Sequence, residues 1–176
     1  MAKVFIFAPA DTTGETHRML EQEGCEVVLG KAGWDTPQGN SEAEMAGIAR
    51  GCDALAGTSI RSSPITRTIM QSSDKLRIVA KYTVGVDDVD VEAATELGIL
   101  VTHAPTESNW GGVAEGTVAM LLTMLKKPRE RDRHLKTGVP WRNLDFQGTY
   151  VGSRADGYPG ITIGLVGLGR IGGRVA

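Results

Sequence analysis

The fold turns on one stretch, Ile161-Thr162-Ile163-Gly164-Leu165-Val166 followed by Gly167-Leu168-Gly169-Arg170-Ile171-Gly172. The first six residues read as a short, strongly apolar strand. The next six have the pattern Gly-x-Gly-x-x-Gly, directly after that strand and before what should be a helix. In this context each glycine has a physical reason. Gly167 permits a tight turn, Gly169 lets the backbone approach a pyrophosphate, and Gly172 lets helix and strand pack closely. A phosphate would then sit on the positive end of the new helix. The competing reading is a plain glycine turn in a parallel sheet. The acidic residue that would hold a ribose belongs about 20 residues further on, past Ala176, so NAD and NADP are not distinguished.

Working outward toward the N-terminus, strand and helix signals alternate. Residues 3–8 are an apolar run closed by Pro9, a buried strand. Helical spacing over 12–23, through His17 and Leu20, ends at Gly24. Residues 26–29 read as a second strand. Ser41-Glu42-Ala43-Glu44 is a capping box and opens a helix that ends near Gly51. Residues 53–57 are a third strand. Ser63 and Pro64 read as an N-cap and a first-turn proline, giving a helix to about residue 72. Residues 76–81 are a fourth strand, Asp90 caps a short helix that stops at Gly98, and 99–102 are a fifth strand. This alternation predicts βαβ units, a parallel sheet and right-handed crossovers. The predicted class is α/β, with 1–105 as one domain, flavodoxin-like in strand order.

After Pro105 the pattern changes. Residues 109–127 read as one long helix, apolar most of the way round, which usually means burial between layers or domains. Pro128 stops it. Residues 129–158 are polar and glycine-rich, with Trp141, Phe146 and Tyr150 spaced through them, and read as an arm. The predicted organisation is therefore 1–105, then a helix and arm over 106–158, then the start of an incomplete Rossmann domain over 159–176. An apolar central strand at 161–168 without neighbours would expose an edge that pairs or aggregates. A longer parent polypeptide, intermolecular strand exchange or disorder is therefore expected past about residue 158.

Composition excludes several partners. The formal net charge is −2, so nothing points to nucleic acid or an anionic membrane. The charged run 126–133 mixes both signs, as a solvated helix end does. The longest apolar stretch, 113–125, contains Glu115 and is far shorter than the ~20 residues of a membrane span. The N-terminal apolar run is too short for a signal peptide. Cys25 and Cys52 form no metal-ligand or redox pattern and fit free thiols in a reducing cytosol. The expected protein is soluble and cytoplasmic, with no metal.

Four segments, in order, carry a family resemblance. Val84-Gly85-Val86-Asp87-Asp88-Val89-Asp90 is similar to a G-V-D-N-V-D turn. Gly98-Ile99-Leu100-Val101 followed by Pro105 is similar to G-I-x-V-x-N-x-P. Asn109 with Val113-Ala114-Glu115 is similar to N-S-x-x-V-A-E, and 167–176 to a cofactor loop. Trp141 falls where a G-x-W often follows the long helix. Together these resemble the D-2-hydroxyacid dehydrogenases, the family of D-3-phosphoglycerate and formate dehydrogenases, over essentially the whole chain. There are departures. Asp88 replaces an Asn, the loop between Pro105 and Asn109 is one residue longer than in close relatives, and Thr58-Ser59 stands where phosphoglycerate-type members often carry Arg-Ser. The last weakens any claim of a phosphorylated substrate.

The resemblance implies roles. Backbone amides of Val84, Gly85 and Val86 would hold a substrate carboxylate in an anion nest; without a ligand, Gly85 is simply a turn glycine. Asn109 would donate its carboxamide to the same carboxylate, with helix N-cap as the competing role. Thr117 would face the nicotinamide side, or be an ordinary packing threonine. Gly167, Gly169, Arg170, Ile171 and Gly172 would hold the pyrophosphate of NAD, the Arg170 side chain being only solvated. Glu115, in an apolar helix, is expected to make a structural hydrogen bond, with acid–base duty as the competing role. His103 reads as a loop histidine near the presumed cleft. A homodimer through the long helix and arm is also implied. The family's catalytic His, Glu and Arg come from later in the cofactor domain, and none is assigned to this chain. The expectation is a fragment of an NAD(P)-dependent oxidoreductase that interconverts a D-2-hydroxy acid and a 2-keto acid, inactive alone. The alternatives are a non-catalytic, nucleotide-sensing regulatory protein of the same fold and an unrelated flavodoxin-like regulatory domain.

Overall fold

The computed structural model describes residues 1–31, 39–58, 64–138 and 143–176. The chain divides into two units, Met1–Pro105 and Thr106–Ala176. The first contains β1 (Lys3–Ala8), α1 (Glu15–Gln22), β2 (Glu26–Leu29), α2 (Glu42–Ala49), β3 (Ala54–Gly57), α3 (Arg67–Gln71), β4 (Ile78–Lys81), α4 (Val91–Glu96) and β5 (Leu100–Thr102). Its five strands are parallel, in the order β2-β1-β3-β4-β5. This is the flavodoxin-like order expected from the alternation.

Side chains along a strand alternate between faces, and β1 uses both. Phe5 and Phe7 enter the larger core, with Met45, Leu55, Ile69, Met70 and Val79. Val4 and Ile6 face the other layer, where Leu20 and Val27 pack. Cys52 is buried and Cys25 partly so, both as free thiols.

The helix starts follow local chemistry. The predicted capping box forms: Glu44 N–H donates to Ser41 Oγ at 3.3 Å, and Ser41 N–H to Glu44 Oε2 at 2.8 Å. α1 begins later than the spacing predicts, because Asp11 organises the preceding turn. Its carboxylate accepts the amides of Thr13 at 2.8 Å, Gly14 at 3.0 Å and Thr16 at 2.8 Å. α3 also begins later. Ser63 lies outside the described residues, and Thr66 Oγ1 caps the helix by accepting Ile69 N–H at 3.4 Å. Ile65 is committed elsewhere, in a parallel bridge to Val89. Its amide donates to Asp88 O at 2.7 Å, and its carbonyl accepts Asp90 N–H at 2.9 Å. Asp90 caps α4 as expected, accepting Ala93 N–H at 2.9 Å.

The second unit contains α5 (Glu107–Lys126), α6 (Pro128–Lys136), a 3-10 turn (Leu144–Phe146) and α7 (Gly172–Val175). Three expectations are corrected here. First, α5 is not a buried helix: Ala114 alone is buried, while Val113, Met120 and Met124 are exposed. The few elements of this unit cannot cover a helix that is apolar most of the way round. Second, Pro128 starts a helix as well as ending one. Lys127, at φ 51°, breaks α5, and a proline at the next first turn forfeits no hydrogen bond. The charged run then fastens the arm. Lys126 Nζ donates to Thr149 O at 2.7 Å, Lys127 Nζ to Asp145 O at 2.9 Å, and Arg131 Nε to Phe146 O at 2.9 Å. Trp141 lies outside the described residues. Third, 161–168 forms no strand. Among the described residues no strand of the second unit is available to pair with it, and a strand exists only through its ladder. Val166 and Leu168 are accordingly exposed. α7 follows the glycine loop, as the motif requires.

Candidate functional site

β4 delivers the chain to the carboxyl edge of the sheet, where Tyr82 N–H still donates to Gly57 O at 2.9 Å. The turn beyond it is held by its carbonyls. Thr83 O accepts Ala104 N–H at 3.0 Å. Val84 O accepts His103 Nδ1–H at 3.0 Å. Gly85 O accepts the Thr83 hydroxyl at 3.1 Å. No peptide among the described residues is cis. In a trans unit the N–H points opposite the C=O, so fixing these carbonyls also fixes the amides of Val84, Gly85 and Val86. None of those amides has an acceptor among the described residues. Val84 and Gly85 are exposed and Val86 is half-buried. Successive amides with free hydrogens are donors suited to an anion. A Cβ on Gly85 would lie 3.0 Å from the Asp87 carboxylate.

A buried ion pair underlies the turn. Val79 and Lys81 lie two apart and share the face that meets the larger core. The Lys81 side chain is fully buried, with Nζ 2.5 Å from Asp88 Oδ2. It also donates to Thr58 O at 3.0 Å and lies 5.2 Å from the centre of the Phe7 ring. Burial pushes the ammonium below its ordinary value, and Asp88 opposes that shift. Asp88 is the position that departs from the family's Asn, and its carboxylate is the counter-ion. Thr58 is buried with a hydroxyl that finds no partner among the described residues; Ser59 lies outside them.

The second unit carries the other predicted residues. Asn109 is not the cap of α5, because the N-cap position is Thr106. Asn109 is exposed inside the first turn, and its Oδ1 accepts the Thr106 hydroxyl. That leaves the carboxamide N–H groups outward, with no acceptor among the described residues. The Thr117 hydroxyl donates to Val113 O at 2.8 Å, a bond back along its own helix. Glu115 is exposed and makes no side-chain hydrogen bond among the described residues. The expected structural bond is therefore absent there.

In the glycine loop Gly167 takes φ 92°. A Cβ on Gly172 would stand 2.0 Å from Gly167 O, whereas Gly169 has nothing within 4 Å of where one would be. The amides of Gly169, Arg170 and Ile171 meet no acceptor among the described residues. The Arg170 guanidinium is not merely solvated: it stacks 4.6 Å over the Trp110 ring. Arg174 of α7 pairs with Glu107 of α5. Among the described residues no cluster of three His, Cys, Asp or Glu could hold a metal ion, and no helix is long and apolar enough to cross a membrane.

Sequence reasoning missed the parts played by His103 and Lys81. Nothing local marks Lys81, and His103 is marked only by standing at the Asn position of the G-I-x-V-x-N-x-P pattern; each matters through a partner that the sheet brings beside it.

A 2-1-3-4-5 sheet, with a turn at its carboxyl edge whose amides meet no acceptor among the described residues, and a dinucleotide-type glycine loop later in the chain, are parts from which dinucleotide-dependent dehydrogenases are built. The family model for the D-isomer specific 2-hydroxyacid dehydrogenase catalytic domain matches residues 4–158. The chain is 34% identical over 176 residues to the D-3-phosphoglycerate dehydrogenase of Methanocaldococcus jannaschii, covering 99% of this chain and 29% of that protein. It is 38% identical over 131 residues to the glyoxylate reductase of Korarchaeum cryptofilum, covering 71% and 36% respectively. The D-lactate dehydrogenase of Aquifex aeolicus, solved with NAD and lactic acid, shares the fold with TM-score 0.72 at 21% identity, over 98% of this chain and 46% of that one. The chain belongs to the D-isomer-specific 2-hydroxyacid dehydrogenase family. It spans between 29% and 46% of the length of the relatives just named.

Proposed function

We propose that this chain is the front portion of a cytoplasmic, NAD-dependent dehydrogenase that interconverts a small D-2-hydroxy acid and its 2-keto acid. The observation that carries the reading is the turn at 84–86. Three amides with no acceptor among the described residues, their carbonyls each held from behind, suit a carboxylate. Thr58 supplies no cation, which favours an unphosphorylated acid. Asn109, in the second unit, offers a carboxamide donor for such an acid.

The glycine loop fits NAD. Open space at Gly169 admits a pyrophosphate, and Gly172 lies so close to the Gly167 carbonyl that no side chain is tolerated there. The amides of Gly169, Arg170 and Ile171, unpaired among the described residues, are donors for its oxygens. Bound as NADH, the cofactor would donate a hydride to the 2-keto carbon and leave as NAD+; in the reverse direction NAD+ would accept the hydride from C2 of the hydroxy acid. Thr117 is assigned to the nicotinamide side, where its hydroxyl would turn from its own helix. The acid–base residues and the carboxylate-gripping Arg belong to sequence beyond Ala176 in this reading, so residues 1–176 bind without turning over. A homodimer built on α5 and the arm is part of the same reading, with Val113, Met120 and Met124 as its apolar surface. The site is tested by titrating the isotopically labelled chain with pyruvate. Saturable amide shifts at Val84, Gly85 and Val86 are expected; shifts spread evenly over the surface would refute the carboxylate site.

A further inference from the structure

Resting on the carboxylate reading of the 84–86 turn, we propose that His103 is a positioning residue for acid binding: its Nδ1–H, acting through the Val84 carbonyl, aims and strengthens the Gly85 amide. A carbonyl oxygen only accepts, so the 3.0 Å contact assigns the hydrogen to Nδ1. In the neutral ring Nε2 is then bare. The Val84 C=O and the Gly85 N–H belong to one amide unit. A donor on its oxygen draws charge from the nitrogen and makes the N–H a better donor in turn.

The other two units of the turn are held differently. Thr83 O is held by the backbone amide of Ala104, and Gly85 O by the hydroxyl of Thr83 within the turn itself. The middle unit is held by a side chain from another segment. That side chain is exposed, so it contributes nothing to the core that would explain its placement. β5 ends at Thr102, and the next two residues, His103 and Ala104, close successive carbonyls of the turn. The Ala104 bond keeps the backbone in place when the ring is changed.

The test uses the full 176-residue chain, pyruvate as probe, and the Val84, Gly85 and Val86 amide shifts as readout. His103→Leu should weaken pyruvate binding about tenfold, the effect of one hydrogen bond. His103→Asn, whose amide lies where Nδ1–H lay, should restore it to within about threefold, and His103→Gln, whose amide lies nearer the Nε2 position, should not. Equal binding by wild type and His103→Leu would overturn the role of His103 while leaving the carboxylate site standing. Absence of turn shifts in the wild type would overturn the site itself, and this role with it. A measurement on the unaltered protein guards against misfolding of the variants. The ring nitrogen shifts of His103 should report hydrogen on Nδ1; a neutral ring carrying hydrogen only on Nε2 would overturn the proposal.

Discussion

Lys81 ends β4 with its side chain fully buried, and a buried ammonium requires a counter-charge. Asp88 supplies it from the far end of the turn. Removing either partner alone, as in Lys81→Met or Asp88→Leu, should cost about 3–5 kcal/mol in urea unfolding, and the double substitution should recover much of that. Single losses under about 1 kcal/mol would mean that the pair is not buried in solution. Gly85 makes the opposite case. A methyl there meets only the tip of Asp87, so Gly85→Ala should change stability by less than about 1 kcal/mol. It should nonetheless weaken pyruvate binding, because the methyl crowds the amides. Equal pyruvate affinity would argue that the acid binds elsewhere. At this scale the sequence is legible in part. The glycines and the amide-bearing turn can be read from their pattern. The Lys81–Asp88 and His103–Val84 contacts cannot, because each joins residues that only the fold makes neighbours. Asp88 stands out in the sequence as a departure, but its reason lies in Lys81.

Elements with local instructions are the most legible. The Ser41–Glu44 box, the Asp90 cap and the Gly98 stop form where the residues place them, because their hydrogen bonds close within a few positions. Glu44 also has a measurable signature. Lys31, and then Ser41, hold its carboxyl at about 2, below the ordinary 4.5. A depressed carboxyl contributes its full stability above about 4.5 and loses it as pH falls toward 2. Glu44→Gln should therefore be less stable at neutral pH and decline less steeply on the acid side, with thermal melts as the check. Ser41→Ala should cost about 1 kcal/mol at neutral pH. The elements that depart from expectation depend on partners at a distance. An apolar run such as 161–168 forms a strand only when another strand accepts its hydrogen bonds, and none does among the described residues of this unit. Its amides should exchange with solvent far faster than those of Phe5–Phe7 in β1. Strong protection at 162–168 would instead show that copies of the chain pair through it.

At the level of the molecule, the parallel order of the first unit is predictable because alternating strands and helices leave few other topologies. The division of labour proposed for the units rests on four short motifs, and the chemistry beyond binding is assigned in this proposal to residues outside these. We propose that these 176 residues are the acid-binding front of a dehydrogenase and not a complete catalyst. NADH oxidation, measured side by side for the native gene product and for residues 1–176, tests it most directly. With glyoxylate, pyruvate and hydroxypyruvate offered in turn, the account predicts that the native product consumes NADH and yields a D-2-hydroxy acid, while residues 1–176 consume none. A native product that binds NADH yet oxidises none with any of these acids would contradict the claim and mark a nucleotide-sensing protein on the same fold. Turnover by residues 1–176 alone would contradict it from the other side.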